Sequence, residues 1–206
     1  MNDHLAPLTR SSVRAECGDG DDKGGSRLLD RLMETRTVLI SEPVSSDLSE
    51  KILPRLLLLE AEDPEKPVKV LINSPGGAVD DGFAIYDMMR YIRCPVTSIC
   101  IGLAASAATI ILLGGDKGRR LALPNTRILL HQPSQSMRGV ASDIEISANE
   151  ILRIRRRIND LLARETGQSL DQIAKDLNRD YWLSAEQAVE YGLIDRVIEN
   201  AAEADE

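Results

Sequence analysis

The chain has 206 residues, of which 43% are hydrophobic and 3% aromatic, and this composition predicts a single domain with an aliphatic core. Its formal net charge of −8 argues against a nucleic-acid-binding protein, which normally carries a basic surface. No apolar run approaches the ~20 residues that cross a bilayer, and the first residues lack the apolar core of a signal peptide. We therefore expect a cytoplasmic protein that does not contact a membrane.

The spacing of the cysteines argues against a metal site. Cys17, Cys94 and Cys100 have neither the spacing of metal ligands nor that of a Cys-x-x-Cys pair. An odd count of cysteines without a disulfide framework is typical of a reducing compartment. We predict no metal site.

The composition divides the chain into three parts. Residues 1–26 are polar and rich in Gly and Asp, so they offer too little apolar surface to offset the entropy of ordering and are predicted to be flexible. Residues 199–206 are predicted to be a flexible acidic tail for the same reason. Residues 27–198 carry periodic apolar patterns and are predicted to form one domain.

Strand and helix patterns alternate along this domain. The predicted strands cover residues 36–40, 67–74, 95–101, 119–123, 127–131 and 194–198. The predicted helices cover residues 45–63, which include Pro54, and 79–93, 106–115, 143–165 and 184–192. Such alternation predicts an α/β fold of parallel βαβ units.

Basic residues cluster at 153–157 ("RIRRR") on the long predicted helix. They alternate with isoleucines at 151, 154 and 158. We interpret the cluster as a solvated or subunit-facing side of the helix rather than as a nucleic-acid site.

Ser106 stands in a row of alanines, after the strand predicted at 95–101 and a short Gly-Leu-Ala-Ala turn. We expect it at the N-terminus of the next helix, where unpaired backbone N–H groups favour negative charge. That position suits a nucleophile whose substrate becomes an oxyanion. A serine there also serves as an ordinary helix cap, and its position alone does not separate the two functions.

His131 is one of two histidines, and the other, His4, lies in the predicted flexible segment. It ends a predicted strand, and in a parallel sheet functional groups gather beyond the carboxyl ends of strands. Imidazole, with an ordinary pKa of ~6.5, is the usual base that activates a serine hydroxyl. A structural histidine at a strand end is the alternative.

A third residue is needed to orient the imidazole. The downstream candidates are Asp171, Asp176 and Asp180. Asp180 precedes Tyr-Trp-Leu and is expected to be partly buried, whereas Asp171 and Asp176 lie on a polar helix and are expected to be solvated. Sequence spacing does not choose among them.

The turn Pro75-Gly76-Gly77 follows one predicted strand and precedes a helix. Glycines at such a turn let backbone N–H groups approach a ligand closely. An N–H group of the glycine pair and that of Ala107 are predicted to point at one carbonyl oxygen and thereby form an oxyanion hole.

These residues closely resemble the proteolytic subunit of the Clp protease, a family of serine peptidases, over roughly residues 30–198. The resemblance rests on the stretches "EAEDPEKPVKVLINSPGGAVDDGFAIYDMM", "ICIGLAASAATIILLGGDKGRRLALPNTRILLHQP", "DIEISANEILRIRRRINDLLARETGQSLDQI" and "NRDYWLSAEQAVEYGLIDRVI". It implies a crotonase-like α/β fold with a protruding handle helix, and a serine endopeptidase that degrades unfolded polypeptides to short peptides.

The resemblance also implies roles for individual residues. Ser106 corresponds to the nucleophile, His131 to the general base and Asp180 to the orienting acid. The N–H groups of Gly77 and Ala107 correspond to the oxyanion hole. No metal or other cofactor is expected.

Assembly and partners are implied in the same way. Two stacked seven-membered rings would be interlocked by the helix at 143–165, and a ring-shaped ATPase of the Clp family would feed unfolded polypeptide into the chamber. The positions where the family commonly carries aromatic residues for ATPase docking hold Lys69, Leu71 and Leu121, and Asn178 replaces an acid. These departures leave open which ATPase docks and whether the rings contain one kind of subunit.

Two other functions are weighed against the peptidase. A crotonase-like acyl-CoA enzyme would share the fold and the oxyanion hole, but such enzymes commonly use carboxylates, and the pairing of Ser106 with His131 would be unexplained. A non-catalytic ring subunit is suggested by the departures at the N-terminal segment and at the docking positions.

Overall fold

The computed structural model describes residues 31–134 and 136–205, so the segment predicted to be flexible at 1–26 lies outside the described residues. The strands are β1 (Thr37–Ile40), β2 (Val68–Ser74), β3 (Val96–Ala105), β4 (Arg120–Ala122), β5 (Arg127–Leu130), β6 (Tyr181–Ser184) and β7 (Arg196–Val197). The helices are α1 (Ser46–Glu62), α2 (Val79–Tyr91), α3 (Ala107–Leu112), α4 (Ala141–Thr166), α5 (Leu170–Asp176) and α6 (Ala185–Tyr191), followed by a 3-10 helix at Ala201–Asp205. Helix α1 continues through Pro54.

Within the described residues these strands form one seven-stranded sheet. The path β1-β2-β3-β4-β7 is parallel throughout, which confirms the predicted α/β fold. Strand β5 pairs in parallel with the last residues of β3, and β6 pairs antiparallel with β5. The sequence patterns did not predict β6 or this antiparallel pair.

Strand β3 is longer than predicted. The expected Gly-Leu-Ala-Ala turn before Ser106 is wrong, because Gly102–Ala105 continue the strand. At this point β2 and β3 shift register, and the side chain of Asn73 accepts a hydrogen bond from the Leu103 N–H at 3.1 Å. The Asn73 side chain thus replaces a backbone partner on β2, and β3 continues without a turn to Ser106 and α3.

The main core is aliphatic, as the composition predicted, and lies between the sheet and its helices. A second, smaller cluster contains Ile99, Leu121, Ile198 and Ala204. Ala204 is buried and belongs to the 3-10 helix, whose residue Glu203 accepts a hydrogen bond from Arg196 at 2.7 Å through its backbone carbonyl. The last described residues are therefore folded onto the domain, in contrast to the predicted acidic tail without structure.

Helix α4 packs on the domain only through its second half. Ile158, Leu161 and Leu162 are its buried residues. Its first half is exposed, which agrees with a handle that protrudes from the domain. In the part of the chain that the structure describes, no helix has both the length and the hydrophobicity that crossing a bilayer requires.

Candidate active site

Ser106 occupies the junction between β3 and α3. It is the residue before the first turn of α3, with φ 54° and ψ −121°, and its side chain makes no capping hydrogen bond. A positive φ is uncommon for residues other than glycine and is costly to maintain, so such conformations concentrate at functional sites. The hydroxyl therefore does not serve as an ordinary cap, and the backbone turns sharply to present it.

Backbone hydrogen bonds hold Ser106 in this conformation. Its N–H donates to the carbonyl of Leu129 on β5 at 2.9 Å. Its own carbonyl accepts two hydrogen bonds from Thr109, one from the N–H at 2.9 Å and one from the hydroxyl at 2.6 Å. Thr109 was missed by the sequence analysis, although a threonine three residues after a helix-capping position commonly bonds back to the preceding turn.

The glycine turn packs directly against this junction. Gly76 has φ +85°, and a Cβ atom on it would overlap the Ala105 carbonyl oxygen and lie 2.8 Å from the Ser106 Cβ and 3.0 Å from the Ala107 nitrogen. Only a residue without a side chain fits in this space and in this conformation. The predicted proximity of the turn to Ser106 and Ala107 is thus observed.

The N–H groups of Gly77 in the turn and of Ala107 at the start of α3 have no partner among the residues that the structure describes. Val44 pairs with the turn by donating to the Gly76 carbonyl at 2.9 Å and accepting from the Ala78 N–H at 2.8 Å. Because successive N–H groups of an extended chain point to opposite sides, this pairing leaves the Gly77 N–H facing away from Val44. Neither that N–H nor the Ala107 N–H donates to any group among residues 31–134 and 136–205.

The antiparallel pair of β5 and β6 brings His131 and Asp180 together. Leu130 lies opposite Tyr181, so the residue after β5 and the residue before β6 are neighbours. Gln132 reinforces the approach, because its N–H donates to the Leu177 carbonyl at 2.8 Å. The His131 Nδ1 lies 3.5 Å from Asp180 Oδ1.

The structure distinguishes the candidate acids. Asp180 faces His131, but its side chain is 65% exposed, so the expected partial burial is wrong for the isolated chain. Asp176 instead accepts hydrogen bonds from the Tyr191 hydroxyl at 2.9 Å and from the Gln172 amide, so it is not simply solvated as expected. Asp171 is exposed, as expected.

Ser106 and His131 line the same small pocket, of about 20 Å³. Its other walls are mainly aliphatic and come from α2, α3, the end of β5, α4 and the loop after α5, namely Val79, Ala107, Thr109, Ile110, Leu130, Pro133, Ile158, Leu162 and Leu177. A pocket of this size has room for about one water molecule, so the two side chains lie close together behind a mainly aliphatic wall.

The two cysteines in the described part of the chain do not compete with Ser106 as a nucleophile. Burial raises the pKa of the Cys100 thiol to about 12, so the thiolate that reacts as a nucleophile is scarce near neutral pH. Burial also raises the pKa of Cys94. The described residues contain no group of three His, Cys, Asp or Glu side chains placed to hold a metal ion.

Comparison with known proteins assigns the chain to a family. A sequence model described as Clp protease matches residues 21–201. The chain belongs to the Clp protease family. The matched range includes the glycine turn, Ser106, His131 and Asp180.

A solved Clp protease structure agrees with this assignment. A mutant of ClpP1 from Listeria monocytogenes is 43% identical in sequence and superposes with a TM-score of 0.80. The alignment covers 86% of this chain and 99% of the Listeria chain. The fold is therefore of the ClpP type, and the chain is the proteolytic subunit of a Clp protease, a serine peptidase.

Proposed function

We propose that Ser106, His131 and Asp180 are the catalytic triad of this peptidase. The observation that carries the proposal is the Ser106 hydroxyl, which is held at a strained strand-to-helix junction, makes no capping bond and shares a pocket with His131. Because the His131 Nδ1 faces Asp180, Nε2 is the nitrogen available to take the serine proton. Asp180 then fixes the tautomer and stabilises the imidazolium that forms.

The reaction follows from these roles. Ser106 Oγ attacks the scissile carbonyl while His131 accepts its proton, and the same proton passes to the leaving amine as the peptide bond breaks. The acyl group stays on Ser106 until a water, deprotonated by His131, attacks it and releases the second peptide. One water is consumed for each peptide bond cleaved, and the proton that His131 takes from this water returns to Ser106 Oγ as the second peptide leaves.

The N–H groups of Gly77 and Ala107, which have no partner within the described part of the chain, supply the oxyanion hole in this proposal. A Cβ atom added to Gly76 would lie 3.0 Å from the Ala107 nitrogen, so the turn and the helix start are neighbours. Losing one such donor typically costs about 10²–10³-fold in turnover.

We further propose the partners and the assembly that the family implies. The subunits form two stacked seven-membered rings in the cytoplasm, and a Clp-family ATPase ring delivers unfolded protein. Of the unusual docking positions, Leu121 is only 1% exposed because it belongs to the small cluster that includes Ala204. The ATPase contact on this face therefore depends on the surface around Lys69 and Leu71, which remain partly exposed.

Covalent labelling with a fluorophosphonate probe tests the triad. The full-length, assembled protein should take up one probe per subunit, and intact mass and peptide mapping should place it on Ser106. Ser106→Ala should abolish labelling. Ser134→Ala is the matched control, because Ser134 is an exposed serine close to His131 in sequence, and it should label normally.

The same preparation separates the alternative functions. Turnover of an unfolded model protein that is lost in Ser106→Ala supports the peptidase. Hydrolysis of an acyl-CoA thioester without peptide cleavage would support the crotonase-type enzyme instead. Assembled protein that never labels, also with an activating ATPase present, would contradict the triad and leave a non-catalytic ring subunit.

A further inference from the structure

Half of the aromatic side chains of this chain line one surface pocket. The sequence has one Trp, four Tyr and one Phe, and three of these six, Tyr181, Trp182 and Tyr191, border a pocket of about 290 Å³. Its remaining walls are formed by Gln168, Leu183, Gln187 and Glu190. A volume close to the lower limit of ligand pockets, ~300 Å³, suits a single side chain. This pocket shares no residue with the one at Ser106.

The three aromatic rings are positioned by the residues around them. Tyr191 is buried, and its hydroxyl donates to Asp176 at 2.9 Å. The Tyr181 ring packs against the Tyr191 ring with 5.6 Å between their centroids. The Arg127 guanidinium lies 4.1 Å from the centre of the Trp182 ring, although Arg127 does not line the pocket. Trp182 nevertheless stays 43% exposed, so the aromatic surface is both ordered and accessible in the isolated chain.

The charge on the pocket wall is negative. In the described part of the chain, Glu190 is the one charged residue that lines the pocket, and its exposed carboxylate makes no hydrogen bond or ion pair. Helix α6 carries a second exposed acid, Glu186, and no basic residue. Residues 180–206 together contain eight acidic residues and one arginine. Aromatic faces attract cations, and so does a surface of this charge, so the pocket favours a basic side chain.

The pocket lies along a free edge of the sheet. Among the described residues β6 pairs only with β5, so no strand covers its other edge. The Ser184 N–H points to this edge, because it donates to the Gln187 side chain at 2.9 Å and not to β5. Since N–H groups two residues apart along a strand point to the same side, the Trp182 N–H and carbonyl face this edge as well. An open edge of this kind is a template for an extended chain.

We propose that the open edge of β6 binds an extended segment of a partner protein, and that the pocket beside it takes a lysine or arginine side chain of that segment. The backbone of the segment pairs with the Trp182 N–H and carbonyl, and its cation lies beside the tyrosine rings and Glu190. Charge complementarity selects this occupant, because an acidic segment would be repelled by α6 and an uncharged one would leave the Glu190 carboxylate unpaired. This contact is separate from the proposed peptidase activity.

Fluorescence of Trp182 tests the proposal without a label, because it is the only tryptophan of the chain. The probes are acetyl-Val-Arg-Val-amide and acetyl-Val-citrulline-Val-amide, since citrulline keeps the shape of arginine but carries no charge. The full-length Ser106→Ala protein is titrated so that a peptidase cannot cut the probes. The arginine peptide should shift the Trp182 emission and bind about tenfold or more tightly than the citrulline peptide.

Two substitutions on α6 locate the bound peptide. Glu190→Gln should weaken binding of the arginine peptide by about tenfold and leave binding of the citrulline peptide unchanged. Glu186→Gln is the matched control, because Glu186 is an exposed acid on the same helix that does not line the pocket. It should bind both peptides as the parent protein does, and circular dichroism checks that each variant is folded.

Methylguanidine separates the cation from the extended backbone, because it carries the charge alone. It should bind about tenfold more weakly than the arginine peptide, since it cannot pair with Trp182. Equal binding of methylguanidine would indicate a site for a small organic cation and would overturn the extended segment.

Three other results would overturn the proposal. These are equal binding of the arginine and citrulline peptides, unchanged binding of the arginine peptide in Glu190→Gln, and no shift of the Trp182 emission up to about 1 mM peptide. None of them bears on the triad, because the titration is performed on protein without the Ser106 hydroxyl. Failure of this proposal and failure of the proposed peptidase activity are therefore distinguishable.

Discussion

The two ends of the proposed triad differ in how firmly the chain holds them. Ser106 is fixed by three backbone-directed hydrogen bonds, from its own N–H and to its carbonyl, and by a glycine turn with no space to spare. The His131–Asp180 pair has a 3.5 Å separation, and its side chains are 30% and 65% exposed. The nucleophile is thus preorganised within a single subunit, whereas the base and its acid are brought near each other but not locked.

This difference indicates which part of the catalysis depends on the subunit alone. Preorganised donors and a fixed nucleophile act without reorganisation during the reaction. An acid that is loosely held orients the imidazole less firmly. Solvent also screens its charge, so its interaction with the imidazolium is weak. Substitutions at the two ends should therefore differ in size and in their dependence on assembly.

The largest effect is expected for Gly76→Ala. The added methyl group would overlap the Ala105 carbonyl and push the turn away from Ser106 and Ala107. We expect peptide turnover to fall by about 10³-fold, the upper end of the cost of one oxyanion donor. Gly118→Ala is the control, because Gly118 has the same φ of +85° but nothing within 4 Å of the new methyl group.

Gly118→Ala should retain near-normal kcat, with only a small loss of thermal stability from the backbone strain. Similar activities for Gly76→Ala and Gly118→Ala would show that the glycine turn can shift without loss of activity. In that case the nucleophile end would not be the rigid one, and the comparison above would be wrong.

An intermediate effect is expected for Asp180→Asn. Replacing a buried triad acid typically lowers kcat by about 10⁴-fold, but Asp180 is exposed and at a longer distance, so we expect a loss of about 10²-fold. The measurement is kcat for a short peptide in the assembled enzyme. A loss near 10⁴-fold would mean that assembly brings His131 and Asp180 into a full hydrogen bond. The difference between a rigid and a loosely held end would then apply to the free subunit but not to the assembled one.

The smallest effect is expected for Thr109→Val, which removes one of the two hydrogen bonds to the Ser106 carbonyl and keeps the shape of the side chain. A hydrogen bond of this kind contributes about 0.5–1.5 kcal/mol, so the rate of probe labelling should fall by roughly two- to tenfold. Thr109→Ser keeps the hydroxyl and should label at the normal rate. Equal rates for all three proteins would show that the N–H of residue 109 suffices.

Much of this arrangement follows from local sequence patterns. Alternating strands and helices predicted the parallel sheet, and the isolated hydroxyl of Ser106 after an apolar strand predicted its place before α3. The conformation of Ser106 was not predictable, because its positive φ is imposed by Leu129, Thr109 and Gly76 rather than by its own preference.

Features that depend on distant partners were missed or left open. Strand β6 has only four residues and forms by pairing with β5, and local preference is weak over so short a run. The choice of Asp180 over Asp176 depends on that pairing, so spacing could not make it. Gly102 weakens the strand signal before Ser106, and the Asn73 side chain that compensates comes from β2.

The connection from β5 to β6 has a consequence for redesign of this subunit. His131 is its first residue and Asp180 its last, and α4 and α5 lie between them. Leu130 and Tyr181 pair at the base of this connection, and only the second half of α4 is buried against the domain, so the first half of α4 is the part that can be exchanged. Grafting the handle of a relative onto this frame should change which copies recognise each other while the catalytic pair keeps its register.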